Sequence, residues 1–176
     1  MLEKFYPDIL YESIYEIDFV LLKERGITGL IFDIDNTLVK PSVKHPDKEL
    51  TDWLANLEKN GFKLCILSNS RDKRSEEFSK GLNITTVSHA RKPSKEGFLK
   101  AVRMMGLQLN QVCMIGDQLF TDVYGAKRLG IYAVYTKPFV FYEVFTVMLK
   151  RLPEAIVFKF YYRAQRKHKR NQSKHK

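Results

Sequence analysis

Cysteine is scarce in this 176-residue chain: there are two, Cys65 and Cys113, each inside an apolar strand-like run, KLCILS and QVCMIG. A thiol in such a run behaves as a small hydrophobe. With one strand between them the two backbones would stand about 9.6 Å apart, too far for a disulfide. A reducing cytosol is therefore the expected setting. Long apolar runs are also missing: no clean stretch of 18 or more residues is available to span a bilayer. The start, MLEKFYPDILYES, lacks a basic segment followed by a sustained apolar one, so no secretory signal is expected. The four histidines do not cluster as ligands of a transition metal would, and His45 and His89 are read as surface or supporting residues. Acid is absent from the last eighteen residues.

What is present suits one soluble domain with an appendage. Hydrophobic residues make up 44% and charged residues 28% of the chain, normal values for a folded protein of this length. The net charge of +10 is concentrated at the end, where Lys159, Arg163, Arg166, Lys167, Lys169, Arg170, Lys174 and Lys176 leave about +2 for everything before. The body need not be a nucleic-acid-binding surface; the tail is the part that seeks anions.

Residues 1–27 form an expected packing arm, with a short helix around Ile17 to Lys23 closed by Gly26. From Thr28 the chain alternates. TGLIFDID is followed by the helical segment DKELTDWLANLEKNG and by FKLCILSNS. Leu50, Trp53, Leu54 and Leu57 recur at helical spacing, which places Trp53 in the core, and Gly61 is set to stop the helix. A helix over about 71–80, the strand ITTVSH, a helix over about 94–105, the strand QVCMIGD, a helix over about 121–129 and the strand IYAVYT complete residues 28–137. Five short apolar strands separated by helices predict an α/β domain, a parallel sheet covered on both faces with right-handed crossovers. Ligands of such sheets bind beyond the carboxyl ends of the strands.

Three strands end in residues that are odd choices for mere turns: IFDIDNT, CILSNS and CMIGDQLFTD; a fourth loop, ARKPS, lies between the last two. Residues two apart on an extended segment project to the same side, so Asp33 and Asp35 converge. They repel unless a cation joins them. Asp117 supplies a third oxygen, and a set of hard oxygen donors beside a phosphate describes a Mg²⁺ site. Phosphoryl transfer needs an in-line nucleophile and charge neutralisation above all. Asp33 can attack, giving an aspartyl-phosphate. Asp35 can protonate the leaving alcohol and later deprotonate water. Ser68, with main-chain amides near Asn69, can hold phosphoryl oxygens, and Lys92 can neutralise charge. Thr37 either binds phosphate through its amide or caps the following turn.

DIDNT, SNS, a lone KP lysine and GDQLFTD, in that order, resemble the motifs of the haloacid dehalogenase superfamily of phosphatases over roughly residues 28–136. The resemblance implies a Rossmann-like three-layer sandwich around a five-stranded parallel sheet, ordered 3-2-1-4-5 from Thr28 onward. It also implies Asp33 as nucleophile and metal ligand and Asp35 as acid/base and main-chain metal ligand. Ser68 would bind phosphate, Lys92 would stabilise charge, Asp117 would bind Mg²⁺, and Asp122 would support the metal shell or Lys92. More narrowly, FDIDNTLV, LSNS, ARKP and GDQLFTDV are similar to the YqeG branch of subfamily IIIA, which is related to phosphatidylglycerophosphate phosphatases. That relation makes phosphatidylglycerophosphate the candidate substrate.

Larger members of the superfamily carry a cap domain. Here about thirty residues separate Asp35 from Ser68 and about two dozen separate Ser68 from Lys92, so no large cap is expected and the site should admit a bulky substrate. Residues 138–176 form an extension in which Phe141, Phe145, Met148, Leu152 and Ile156 recur at helical spacing, with Pro153 expected to kink or divide the helix. An interfacial segment with a polybasic end suits peripheral contact with anionic lipid on the inner face of the cell membrane; the alternative is packing on the domain, followed by a disordered end. Two rival functions remain at this point: a phosphatase acting on a phosphoprotein or a nucleic-acid end, and a non-catalytic RNA- or ribosome-binding protein using the basic tail.

Overall fold

The expected alternation is realised in a computed structural model that describes residues 2–70, 74–82, 84–140 and 145–172, with side chains from 145–152 and 167–172 left out. In chain order the strands are β1 (Ile9–Tyr11), β2 (Gly29–Phe32), β3 (Lys63–Leu67), β4 (Thr85–Val87), β5 (Val112–Gly116) and β6 (Tyr132–Thr136). The helices are α1 (Phe19–Glu24), α2 (Lys48–Lys59), α3 (Arg74–Ser79), α4 (Lys95–Met105), α5 (Tyr124–Lys127) and α6 (Phe145–Gln172). A single π turn, Leu119–Val123, runs directly into α5.

The helices begin and end where their chemistry says they should. Asp47 caps α2 by accepting the Leu50 N–H at 2.9 Å, satisfying one of the orphan donors of a first turn. Leu50, Leu54 and Leu57 then form the buried stripe. In α4 the stripe is Phe98, Ala101, Val102 and Met105, and Gly106 ends the helix at φ 64°, a left-handed conformation that glycine adopts without a Cβ penalty.

All strands are parallel and the sheet order is β1-β6-β5-β2-β3-β4. From β2 onward this is the expected order. The sheet has one strand more than the sequence suggested, because Ile9–Tyr11 pairs with Val134–Thr136 at the β6 edge. Three residues are too few to show a period. Asp8 holds the strand's start in place: its carboxylate accepts the Ala133 N–H at 2.8 Å and pairs with Lys127 at 2.6 Å.

Apolar side chains fill both faces. One layer joins Leu30, Phe32 and Ile66 to Leu22, Leu54 and Phe78 of α1, α2 and α3. The other joins Ile31, Cys65 and Met114 to Phe98 and Ala101 of α4, Ala126 of α5 and Val157 of α6. Cys65 and Cys113 are free and buried with β2 between their strands, and burial pushes the Cys65 thiol up to about 12. Trp53 is only partly buried; it packs edge-on against Phe32 while Tyr15 and Phe19 cover it from the N-terminal segment. His45 and His89 are exposed.

Pro153 does not divide α6, which runs unbroken from Phe145 to Gln172. Proline removes one ladder bond, and packing of Val157 and Tyr161 against the domain offsets it. Ile156, expected on the apolar face, is 59% exposed. Phe141, Lys174 and Lys176 lie outside the described residues, as does the start of the helix expected over 71–80. Among the described residues no helix is long and apolar enough to cross a membrane.

Candidate active site

The sheet order reverses at β2, which leads to β3 on one side and lies beside β5 on the other. At that point loops diverge and a crevice opens. Asp33 follows β2, Ser68 follows β3 and Asp117 follows β5, so all three meet at the carboxyl edge. Asp33 is held by its main-chain N–H, which donates to Ile115 O at 3.0 Å. The intervals where a cap would be inserted are occupied by α2 and by α3 with β4.

At the centre is a buried charge cluster. Lys92 Nζ is 2.6 Å from Asp33 Oδ1 and 2.7 Å from Asp122 Oδ1. Oxygens of Asp33, Asp117 and Asp122 all lie within 4.8 Å of one another. Among the described residues, carboxylates outnumber the Lys92 ammonium in this desolvated cluster, a costly arrangement. Burial pushes the Asp33 carboxyl up to about 7; Lys92 works against this, and the neighbouring Asp122 and Asp35 carboxylates add to it. Burial alone would lower Lys92, but Asp122 and Asp33 overcome it and hold the ammonium above its ordinary value. The excess charge and the all-oxygen donor set fit a hard divalent cation.

Lys92 is delivered by a strained turn. His89 and Arg91 both have φ of 52°, a region costing non-glycine residues about 1–3 kcal/mol each. Ala90 N–H donates to Ser68 O at 2.9 Å, tying the turn to β3. The Asn69 carboxamide then clamps Lys92 on both sides: its Oδ1 accepts the Lys92 N–H at 2.6 Å and its Nδ2 donates to Lys92 O at 3.1 Å. Asn69 is thereby committed to placing Lys92, with its main-chain N–H and one remaining side-chain N–H left for a phosphate. Ser68 is buried, and its Oγ accepts the Ser70 N–H at 3.1 Å.

Asp35 stands apart from the buried cluster. Its Oδ1 accepts from Arg74 Nη2 at 2.8 Å and from Nε at 3.2 Å. The chain turns immediately afterwards at Asn36, φ 64°, whose Oδ1 accepts the Val140 N–H at 3.0 Å. Thr37 is buried and its Oγ1 has no partner among the described residues; its N–H donates to Ile34 O at 3.3 Å. A buried hydroxyl without a partner among the described residues is available to a ligand.

Asp122 reaches the cluster because residue 116 is glycine. A Cβ there would lie 2.5 Å from Asp122 Oδ2, which accepts the Gln118 N–H at 3.1 Å while Oδ1 faces Lys92. The same loop is held from outside by Glu154 of α6, 3% exposed, whose Oε1 accepts the Leu119 N–H at 2.7 Å.

A family model for haloacid dehalogenase-like hydrolases matches residues 43–130. A Bacillus subtilis protein described as "Probable phosphatase YqeG" is 37% identical over 155 residues, spanning 88% of this chain and 90% of that one. The chain belongs to the haloacid dehalogenase-like hydrolases. It is a phosphatase, which favours the enzymatic reading over the RNA-binding one. Within the family it is also similar to the chloroplastic phosphatidylglycerophosphate phosphatase 1 of Chlamydomonas reinhardtii, at 30% identity over 75% of this chain but only 52% of the algal protein. Among solved structures, a hypothetical protein from Xanthomonas campestris shares the fold, with a TM-score of 0.51 at 17% identity over 72% of each chain. The family match begins beyond Asp33 and Asp35, so those two acids stand on their motif and geometry.

Arg74, Asn36 and Glu154 are the site-building residues that sequence reasoning passed over. Arg74 is one basic residue among several in RDKR, with nothing to distinguish it. Glu154 carried a weak signal, since it shares a helical face with the apolar Val157 and Tyr161.

Proposed function

We propose that this phosphatase is a Mg²⁺-dependent phosphomonoester hydrolase working through an aspartyl-phosphate on Asp33, with phosphatidylglycerophosphate as its substrate. The observation that carries the reading is Asp33 itself, buried against Lys92 and close to Asp117 and Asp122 at the carboxyl edge of the sheet. Asp33 and Asp117 with the main-chain carbonyl of Asp35 would hold the ion, Asp122 supporting them, and the ion would neutralise charge on the phosphoryl oxygens.

An Asp33 oxygen attacks phosphorus as the ester P–O bond breaks, and Asp35 gives its proton to the departing alkoxide. Asp35, now a carboxylate, takes a proton from water whose oxygen attacks the phosphorus, releasing phosphate and restoring Asp33. Lys92, Ser68, the Thr37 hydroxyl and the Asn69 main-chain N–H surround the phosphoryl oxygens. Arg74 fixes the Asp35 carboxylate through two hydrogen bonds to its Oδ1. An arriving phosphate dianion competes for that guanidinium.

The lipid part of the reading is supported by the algal relative's name, the uncapped intervals and α6. Lys159, Arg163 and Arg166 are exposed on α6 beside the exposed Ile156 and Phe160, a surface suited to anionic lipid on the cytoplasmic side. The test is phosphate release from a panel of lipid, sugar, nucleotide and peptide phosphates, with and without Mg²⁺. Asp33→Asn should abolish turnover. Full activity in that variant would remove the nucleophile assignment, and activity confined to soluble phosphates would remove the lipid.

A further inference from the structure

A groove of about 410 Å³ runs between β1, β6 and α6, lined by Leu10, Tyr135, Ala155, Phe158 and Tyr162. Its volume lies in the range of small-molecule sites. Tyr135 and Phe158 meet edge to face, ring centroids 4.9 Å apart, along its floor. We propose that this groove holds an acyl chain of the phosphate ester hydrolysed at Asp33, drawn from an anionic lipid surface.

The register puts groove and site side by side. Tyr135 is paired with Gly116, the residue before Asp117. Asp33 follows Phe32, which is paired with Ile115, so Asp33, Gly116 and Tyr135 lie level on three neighbouring strands. Two strand spacings separate Asp33 from Tyr135 at the backbone, about 9.6 Å. The other wall is joined to the same loop, because Ala155 follows Glu154, which binds the Leu119 N–H. Asp122 and its turn pack over Gly116 between the two places, so a ligand occupying both must pass over that turn and needs a spacer longer than about 10 Å between its phosphoryl group and its chain.

Charge says what the groove's occupant carries. Lys137 and Lys159 complete the lining. Lys137 shares its ammonium with the exposed Glu12 at 2.7 Å, while no acid follows Glu154 in the sequence. The Lys137 and Lys159 ammonium groups at the groove's lining complement an anionic group on its occupant. The occupant is therefore an anionic amphiphile that joins a phosphomonoester to a hydrocarbon chain. Ile156, Phe160 and Tyr162, 59%, 44% and 47% exposed, extend the apolar character of α6 outward, so a chain can enter from a bilayer without crossing water.

The proposal rests on the phosphatase reading above, and two measurements separate their fates. The first is a chain-length series of alkyl phosphomonoesters below their micellar concentrations, on the full-length protein with Mg²⁺. In the wild type KM should fall by up to about fourfold per added methylene and level off once the groove is full. In Ala155→Trp, which fills the groove, the preference for long over short chains should drop at least tenfold, and Ala155→Leu should fall between. A preference independent of chain length in the wild type, or unchanged in Ala155→Trp, overturns the groove while leaving the phosphatase intact. The second measurement is binding of a fluorescent acyl lysophospholipid to Asp33→Asn. Saturable binding lost in Asp33→Asn/Ala155→Trp supports the groove even if no lipid is hydrolysed. Binding that survives the tryptophan, or that a peptide displaces in preference to lipid, overturns it.

Discussion

Glu154 and Leu119 are joined by a hydrogen bond of 2.7 Å across 35 residues of chain, the carboxylate of α6 accepting the main-chain N–H that opens the π turn. The acceptor occupies the position of a helix cap, so the C-terminal helix helps build the loop carrying Asp117 and Asp122. Glu154→Ala should leave a buried N–H unpaired and cost about 1–3 kcal/mol in urea unfolding. Glu154→Gln, which keeps an acceptor, should recover most of it. Divalent-ion affinity should follow the same order; an alanine variant with wild-type stability and affinity would show that α6 merely covers the loop.

Gly116 makes a sharper prediction. A methyl group at this position would sit 2.5 Å from Asp122 Oδ2, closer than any relaxed contact, and the carboxylate cannot retreat without leaving Lys92. Displacements near 1 Å at a reacting centre cost about 100-fold. Gly116→Ala should therefore lower kcat by about that factor, with KM for a soluble phosphate ester changing far less.

These two residues also show what sequence could and could not reveal. β2, β3, β5 and β6 were legible because each is an apolar run bounded by Gly or polar residues, and the motif acids sit directly at their ends. Asp33, Ser68, Lys92, Asp117 and Asp122 accordingly converge on one edge of the sheet. β1 escaped because Ile9–Tyr11 is too short to show a period and takes its place through Asp8. The Glu154 contact escaped for a different reason. Local patterning shows that a helix has a buried face, but the loop it meets 35 residues away is decided by packing of the whole domain. The clamp on Lys92 was hidden likewise, since SNS reads as a polar loop and only geometry joins the Asn69 side chain to the Lys92 backbone.

That clamp can be tested directly. Asn69→Ala removes both hydrogen bonds to the Lys92 backbone and frees a turn whose left-handed residues, His89 and Arg91, are held against their preference. We expect a stability loss of about 1–3 kcal/mol and a fall in kcat larger than the rise in KM, because the lysine remains but no longer points reliably at Asp33. Asn69→Asp keeps the acceptor for the Lys92 N–H but sets a carboxylate against Lys92 O, and should restore little. An equal effect on KM alone would mean that Asn69 serves binding rather than the placement of Lys92.

The buried charge cluster links metal to stability. Without a divalent ion, the Lys92 ammonium holds Asp33 and Asp122 together beside Asp117, and Lys92→Met should cost the chelated protein about 3–5 kcal/mol in chemical denaturation. Mg²⁺ at 100 times its dissociation constant should stabilise the wild type by about 2.7 kcal/mol, since the unfolded chain does not hold Asp33, Asp117 and Asp122 together. The same addition should recover more in Lys92→Met, where the unbalanced charge is greater, and less in Asp117→Asn, where a ligand oxygen is lost. Equal Mg²⁺ stabilisation in all three proteins would place the ion elsewhere and leave the triad as a structural ion-pair network.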